Sequence, residues 1–204
     1  MARRGGFFDG EIVPVATPAG ELAHDEGLRS TSAEALAGLQ PAFSTTGTVT
    51  AGNASQMSDG AALGIVAGAA WVDARGVAPL ARIGGSAHIA GVDGSLHERP
   101  AEAVERLLVE HGVTLQDIDV WEINEAFAGV VVASQRRLGI DPELVNVNGG
   151  AIALGHPLAA SGFRLVLTLA RILRERGARR GVAAMCGGGG QGAAILLENA
   201  DGRT

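Results

Sequence analysis

The sequence predicts an α/β protein in which helices cover a mixed sheet, and three observations predict it. Beyond residue 80, short apolar runs alternate with stretches whose apolar residues recur at helical spacing. From Asp59 the chain is dense in alanine, glycine and aliphatic residues ("DGAALGIVAGAAWV"), the composition of a strand and a helix buried on most sides. The end of the chain, "GVAAMCGGGGQGAAILLEN", reads as two apolar strands joined by a glycine turn.

Each element follows in order. The first 57 residues are irregular, with a short strand-like "EIVPV" at 11–15 and a helix in "STSAEALAGLQP", where Thr31 and Glu34 suit a capping box and Pro41 marks the stop. "PAEAVERLLVEHGV" is predicted helical, with Val104, Leu107 and Leu108 on one face. "DVWEI", 119–123, is a short strand running into "NEAFAGVVVASQRRLG", where Phe127, Val130, Val131, Ser134 and Leu138 share a face until Gly139. "LVNV" is predicted to be another buried strand. "SGFRLVLTLARILRERG" is a helix with Leu165, Leu169 and Ile172 on one stripe, closed by Arg174, Arg176 and Gly177.

Composition narrows the function. With 204 residues the chain can bury a real core, and its 16 basic and 22 acidic side chains, net charge −6, form no like-charge block, so no phosphate backbone is attracted. Nucleic acid is not an expected partner. All the basic residues are arginine, which excludes Schiff-base chemistry and a Walker-type phosphate loop, both of which need lysine. The uncharged stretch 144–163 carries Asn, His, Pro and four glycines and reads as buried backbone, not as a membrane span. One cysteine makes no internal disulfide, and "MARRGGFFDGEIVP" has no apolar run behind its arginines, so the expectation is a cytoplasmic, soluble protein.

Three polar residues stand where apolar strands end: Asn124, His156 and Cys186. Asn124 has the position of a helix N-cap, His156 that of a core histidine, and a lone cysteine is commonly an inert buried thiol. Against the bland readings, Pro157 holds the backbone of His156 out of the helical region, and a following helix start favours the neutral imidazole. Four glycines after Cys186 exceed the need of a hairpin; a close approach, or exposed N–H groups that bind an oxyanion and lower the pKa of the thiol, explains them better than a phosphate cradle does. No metal is expected, because His24, His88, His97, His111, His156 and Cys186 show neither an i, i+4 pair nor paired-cysteine spacing.

Taken together, "NEAFA" (124–128), "NVNGGAIALGHPLAASGFR" (146–164) and "CGGGGQGAA" (186–194) resemble, in order and spacing, three signature blocks of the C-terminal half of thiolases. "LQPAF" and "GTVTAGNASQMSDGAA" (47–62) are similar to the thiolase segment that closes the loop domain over coenzyme A. The resemblance implies a thiolase-like layered α/β fold with an incomplete N-terminal domain: 1–57 as the end of the CoA-covering loop domain, 58–80 as the last strand and helix of the N-terminal domain, and 81–204 as the C-terminal domain. It implies carbon–carbon bond formation or cleavage on 3-ketoacyl-CoA through an acyl-cysteine. His156 would deprotonate the nucleophile and bind the thioester oxygen with a water on Asn124; Cys186 would shuttle protons; and the backbone of Gly188 would join a second oxyanion hole. Ser55, Phe43 and Phe127 match positions lining the pantetheine tunnel, with acyl-CoA as substrate and no permanently bound cofactor.

This chain departs from the thiolase pattern in having no second cysteine. It departs again in "GSLHERPA" (94–101), where a methionine and glycine-rich loop is usual, and at Ala159 in place of a common glycine. The expectation is therefore a split thiolase: a subunit active only with a second thiolase-like chain that carries the nucleophilic cysteine, in a hetero- or homo-oligomer. A non-catalytic CoA-binding or assembly subunit is the alternative, and a functionless fragment a third.

Overall fold

The computed structural model describes residues 5–200. Its N-terminal part carries the exposed hairpin β1 (Val15–Thr17) and β2 (Gly20–Leu22) and two short helices, α1 (Ala33–Ala37) and α2 (Ala69–Arg75). The helix predicted near residue 31 forms, but its cap is Ser32, not Thr31: Ser32 has extended backbone, and its hydroxyl accepts from the Ala35 N–H at 3.2 Å. It ends at Gly38, before Pro41.

The remainder is one sheet with helices on both faces. Strand β3 (Ala81–Ala90) is followed by α3 (Arg99–His111), β4 (Val120–Ile123), α4 (Ala128–Leu138), α5 (Ala151–Leu154), α6 (Leu158–Arg176), β5 (Arg180–Gly187) and β6 (Gln191–Asn199). The sheet order is β3-β6-β5-β4, antiparallel except that β4 and β5 run parallel, so the sheet is mixed.

Side-chain alternation divides the core in two. Trp121, Ile123, Val182, Ala184 and Leu196 pack with Val104 and Leu107 of α3, whereas Val120, Ala183 and Leu197 pack with Leu165, Leu169, Ile172 and Leu173 of α6. All four residues of β4 are buried, as a strand covered on both faces must be. Each fully buried leucine or isoleucine here contributes about 1.5–3 kcal/mol over an exposed one. The predicted stripes of α3 and α6 are these buried faces, and Gly112, Gly139 and Gly177 close α3, α4 and α6 with left-handed backbone.

Three sequence expectations need correction, and one strand was not expected. No strand forms in residues 59–68, and the segment is not buried: Leu63, Ile65 and Val66 are 87%, 90% and 72% exposed. "EIVPV" contributes only Val15 to a strand. Strand β3 had no sequence prediction, because Gly84 and Gly85 interrupt its alternation; the structure absorbs them as an irregularity in the β3–β6 register between Ile83 and Gly85. "LVNV" is not a ladder strand. Leu144 ends a 3₁₀ turn, Val145 makes one isolated parallel bridge to Trp121, and Asn146 then takes left-handed backbone, φ 49°. Its side chain stands in for the next strand residue: Oδ1 accepts from the Ile123 N–H and Nδ2 donates to the Ile123 carbonyl, both at 2.8 Å.

Candidate active site at the carboxyl ends of β4 and β5

Strand β4 leaves the sheet at Asn124, whose backbone N–H still donates to the Ala184 carbonyl of β5 at 2.9 Å. The residue is therefore the end of the strand and not a helix cap; α4 begins four residues later, after Phe127. Its side chain is wholly buried, and Nδ2 lies 3.2 Å from Nε2 of His156. Oδ1 accepts no hydrogen bond from the described residues.

His156 sits in the three-residue link between α5 and α6, Gly155 to Pro157. Gly155, at φ 100°, turns the chain in a conformation that side chains rarely adopt, and Pro157 precedes the first turn of α6. The backbone of His156 is pinned from the N-terminal part as well: its N–H donates to the Gln56 carbonyl at 3.1 Å, and Met57 bridges it in parallel fashion. Nδ1 lies 2.7 Å from the Ser161 hydroxyl on the first turns of α6. Burial first, and then the positive Arg164, hold the imidazole below its ordinary pKa, so it is neutral at physiological pH.

Cys186 lies two residues beyond Ala184 on β5, at the same end of the sheet. It is buried, and no hydrogen bond joins it to His156 or Asn124 among the described residues. The expected lowering of its pKa is overturned: desolvation raises it and outweighs the backbone hydrogen bond that acts in the other direction. The group is a protonated thiol, suited to giving a proton.

The glycines that follow have separate tasks. Gly187 still pairs with Gln191, and Gly189 and Gly190 turn with φ of 81° and 77°. At Gly190 a side chain would strike the Asp93 carbonyl, and the Gly190 carbonyl accepts from the Gly91 N–H at 2.8 Å. Gly188 is exposed, and a side chain there would meet open space. Residues 91–99 wedge this turn, held by the buried Arg99, which pairs with Asp93 and Glu102 at 2.6 Å each.

Ser55, Phe43 and Phe127 come together on one wall. The Ser55 backbone and hydroxyl donate to the Ala126 carbonyl at 3.1 and 3.0 Å, Ala54 bridges Phe127, and the Phe43 and Phe127 rings meet edge to face at 6.1 Å. Phe43 is 77% exposed.

Several residues of the site escaped the sequence reading. Glu125 supports the loop before His156, accepting from Asn146 Nδ2 at 3.1 Å and from the Ile152 N–H at 3.0 Å, in space that a side chain at Gly150 would fill. Glu122, two residues before Asn124, is wholly buried with neither oxygen hydrogen-bonded and Arg164 3.7 Å away. Burial pushes its carboxyl up to about 8, only partly opposed by Arg164. Among the described residues, no cluster of three or more His, Cys, Asp or Glu side chains is placed to hold a metal ion, and no helix is long and apolar enough to cross a membrane.

A neutral imidazole held against an amide, and a protonated thiol at the same end of the sheet, are groups able to take and give protons. Comparison with known proteins gives the family. The thiolase C-terminal domain model matches residues 77–199 and the thiolase N-terminal domain model residues 1–70. The chain belongs to the thiolase family. It is 50% identical over 202 residues to a probable acetyl-CoA acetyltransferase of Mycolicibacterium smegmatis, covering 96% of this chain and 52% of that protein. To the 3-ketoacyl-CoA thiolase of Bacillus subtilis it is 46% identical over 208 residues, covering 95% and 53%. Among solved structures, the Bacillus anthracis acetyl-CoA acetyltransferase superposes with a TM-score of 0.90 at 41% identity, covering 97% of this chain and 52% of that one. The human mitochondrial 3-ketoacyl-CoA thiolase in complex with CoA gives 0.88 at 40% identity, covering 97% and 50%. The chain thus spans about half the length of the relatives it matches.

Proposed function

We propose that this chain supplies the acid/base half of a thiolase site, for thiolytic cleavage or Claisen condensation of a 3-ketoacyl-CoA, with the nucleophilic cysteine supplied by a second polypeptide. The observation that carries the reading is the contact of the neutral His156 with Asn124 at the end of β4, beside the protonated Cys186 at the end of β5. In the cleavage direction, His156 takes the proton of the incoming cysteine, whose sulfur attacks the 3-keto carbon. The bond between C2 and C3 breaks, and its electron pair passes to the enolate of acetyl-CoA. His156 and a water on the unpartnered Asn124 Oδ1 hold that oxygen, and the Cys186 thiol protonates C2. The resulting thiolate then takes the proton of CoA, whose sulfur attacks the acyl carbon and displaces the sulfur of the nucleophilic cysteine, which recovers its proton from His156. The open backbone at Gly188 provides the second oxyanion contact. A base of this kind contributes about 10²- to 10⁴-fold, and each oxyanion donor about 10²- to 10³-fold.

Ser55, Phe43 and Phe127 form the wall against which the pantetheine arm lies. The need for a second polypeptide is supported by Cys186 being the only cysteine in 204 residues and by the exposed Leu63, Ile65 and Val66, an apolar surface suited to a protein neighbour. The test measures thiolysis of acetoacetyl-CoA by the purified chain alone and after mixing with a co-purifying polypeptide that bears a reactive cysteine. Activity is expected only in the mixture. Turnover by the chain alone at the level of a complete thiolase overturns the second-polypeptide reading. Acyl-CoA binding that is unchanged in His156→Ala and Cys186→Ala, with no activity in any mixture, identifies a binding or assembly subunit instead.

A further inference from the structure

We infer that Ser161 is a positioning residue that fixes which nitrogen of His156 is basic. Its hydroxyl makes two contacts: the Pro157 carbonyl at 3.0 Å, one helical turn back, and Nδ1 of His156 at 2.7 Å. A carbonyl only accepts, so the single hydroxyl proton of Ser161 goes to Pro157. The oxygen then accepts from His156, which places the imidazole proton on Nδ1. Nε2 is left with its lone pair, and the Asn124 amide N–H donates to it across 3.2 Å. The chain of bonds therefore runs in one direction, from Asn124 through the imidazole and Ser161 to the backbone of α6. The reverse order would take the hydroxyl from Pro157 and turn the wholly buried Asn124 amide so that neither of its N–H groups has a partner among the described residues, a costlier arrangement.

Three further features fit a fixed device. Ser161 is 1% exposed, so no solvent competes for its oxygen. The i to i−4 bond of a helical serine fixes the rotamer that presents the lone pair to the ring. The charged groups near His156 do not select a tautomer: Arg164 carries a cation, and Glu122 and Glu125 make no hydrogen bond to either ring nitrogen among the described residues. Selection rests on the hydroxyl. This inference uses the proposed role of His156 as a base, and gives that role its atom: Nε2 takes the proton of the attacking thiol and, once protonated, becomes the donor to the enolate oxygen.

The test reads the tautomer directly in the full chain, by long-range proton–nitrogen correlation of the His156 ring at pH 8. Wild type is expected to show a protonated Nδ1 and a pyridine-like Nε2. Ser161→Ala is expected to move the population toward protonated Nε2, and Ser161→Thr, which keeps the hydroxyl, to restore the wild-type pattern. Amide spectra of the variants report whether the fold is retained, and the wild-type tautomer alone decides the matter if Ser161→Ala does not fold. In the active mixture, Ser161→Ala should lower kcat about 10- to 100-fold with little change in KM, below the ~10⁴-fold that a wrong tautomer costs in a Ser-His-Asp triad. A protonated Nε2 in wild type, or a tautomer unchanged by Ser161→Ala, overturns the inference. A shifted tautomer without thiolysis in any mixture leaves the inference standing and removes the reading of the chain as half of a thiolase.

Discussion

Replacing Glu122 by glutamine should stabilise the protein in alkaline solution and do almost nothing in acid. Glu122 is wholly buried, neither of its oxygens is hydrogen-bonded, and the nearest cation, Arg164, stands 3.7 Å away. Its carboxyl, ordinarily near 4.5, is raised to about 8, chiefly by burial. The sign follows from proton binding. Between pH 4.5 and 8 the unfolded chain has released this proton while the folded chain keeps it, so the folded state binds more protons and stability falls as pH rises. The slope is about 1.4 kcal/mol per pH unit, and the whole loss above pH 8 is roughly 5 kcal/mol. Glutamine has the shape of the protonated acid and does not titrate. Urea unfolding of wild type and Glu122→Gln, followed by the fluorescence of the buried Trp121 and the half-exposed Trp71 at intervals from pH 5 to 9, gives the difference with all other titrations cancelled. The difference should be small at pH 5 and grow in favour of the variant up to pH 8. A difference independent of pH, or a wild type that gains on the variant as pH rises, would show that Glu122 is ionised and paired with Arg164, and would refute the reasoning.

Gly190→Ala should destabilise the chain by about 2 kcal/mol or more, since it forces a left-handed residue against the Asp93 carbonyl, whereas Gly188→Ala should unfold in urea like wild type. Cys186 should react with iodoacetamide at pH 7.5 at least about 10-fold more slowly than a free thiol, because the thiolate is the reactive form and burial suppresses it; faster alkylation followed by mass spectrometry would contradict the raised pKa. Arg164→Met should raise the pKa of His156, read from its ring proton shifts, by removing the cation that disfavours the imidazolium; an unchanged titration would assign the whole effect to burial. Leu169→Ala, at the centre of the α6 face, should cost about 2–5 kcal/mol in chemical denaturation.

How far these features could be read in the sequence depended on whether local signals and tertiary context agreed. The three long helices carried a one-sided apolar period and a glycine just past the last turn, and the β5–β6 hairpin had two apolar runs around glycines; each formed where expected. Strand β3 was hidden because two adjacent glycines break its alternation, and "LVNV" misled because composition shows that Leu144 and Val145 avoid water but not that Asn146 will imitate the missing ladder. The stretch 59–68 misled in the other direction: apolar residues state what a segment avoids, not what covers it. At the site, Asn124, His156 and Cys186 stood out as polar residues closing apolar strands. Ser161 did not, since a serine inside a helix looks like many others, and only the turn from Gly155 into the start of α6 places the imidazole on its oxygen. Glu122 gave no signal of its own, since one carboxylate in a short strand is ordinary alternation and only the cover on both faces of β4 buries it.

The amide of Asn146 ties the sheet to the loop that carries His156. Both backbone groups of Ile123 are bonded to that one side chain, and its Nδ2 also reaches Glu125, which in turn holds the Ile152 N–H at the start of α5. His156 and strand β4 are thus mechanically a single part: the loop cannot drift without unmaking the end of β4, and β4 cannot fray without releasing the loop. Loss of the site and loss of the sheet edge should then occur in one cooperative step, so that the fine geometry around Nε2 inherits the rigidity of the core instead of the mobility of a surface connection.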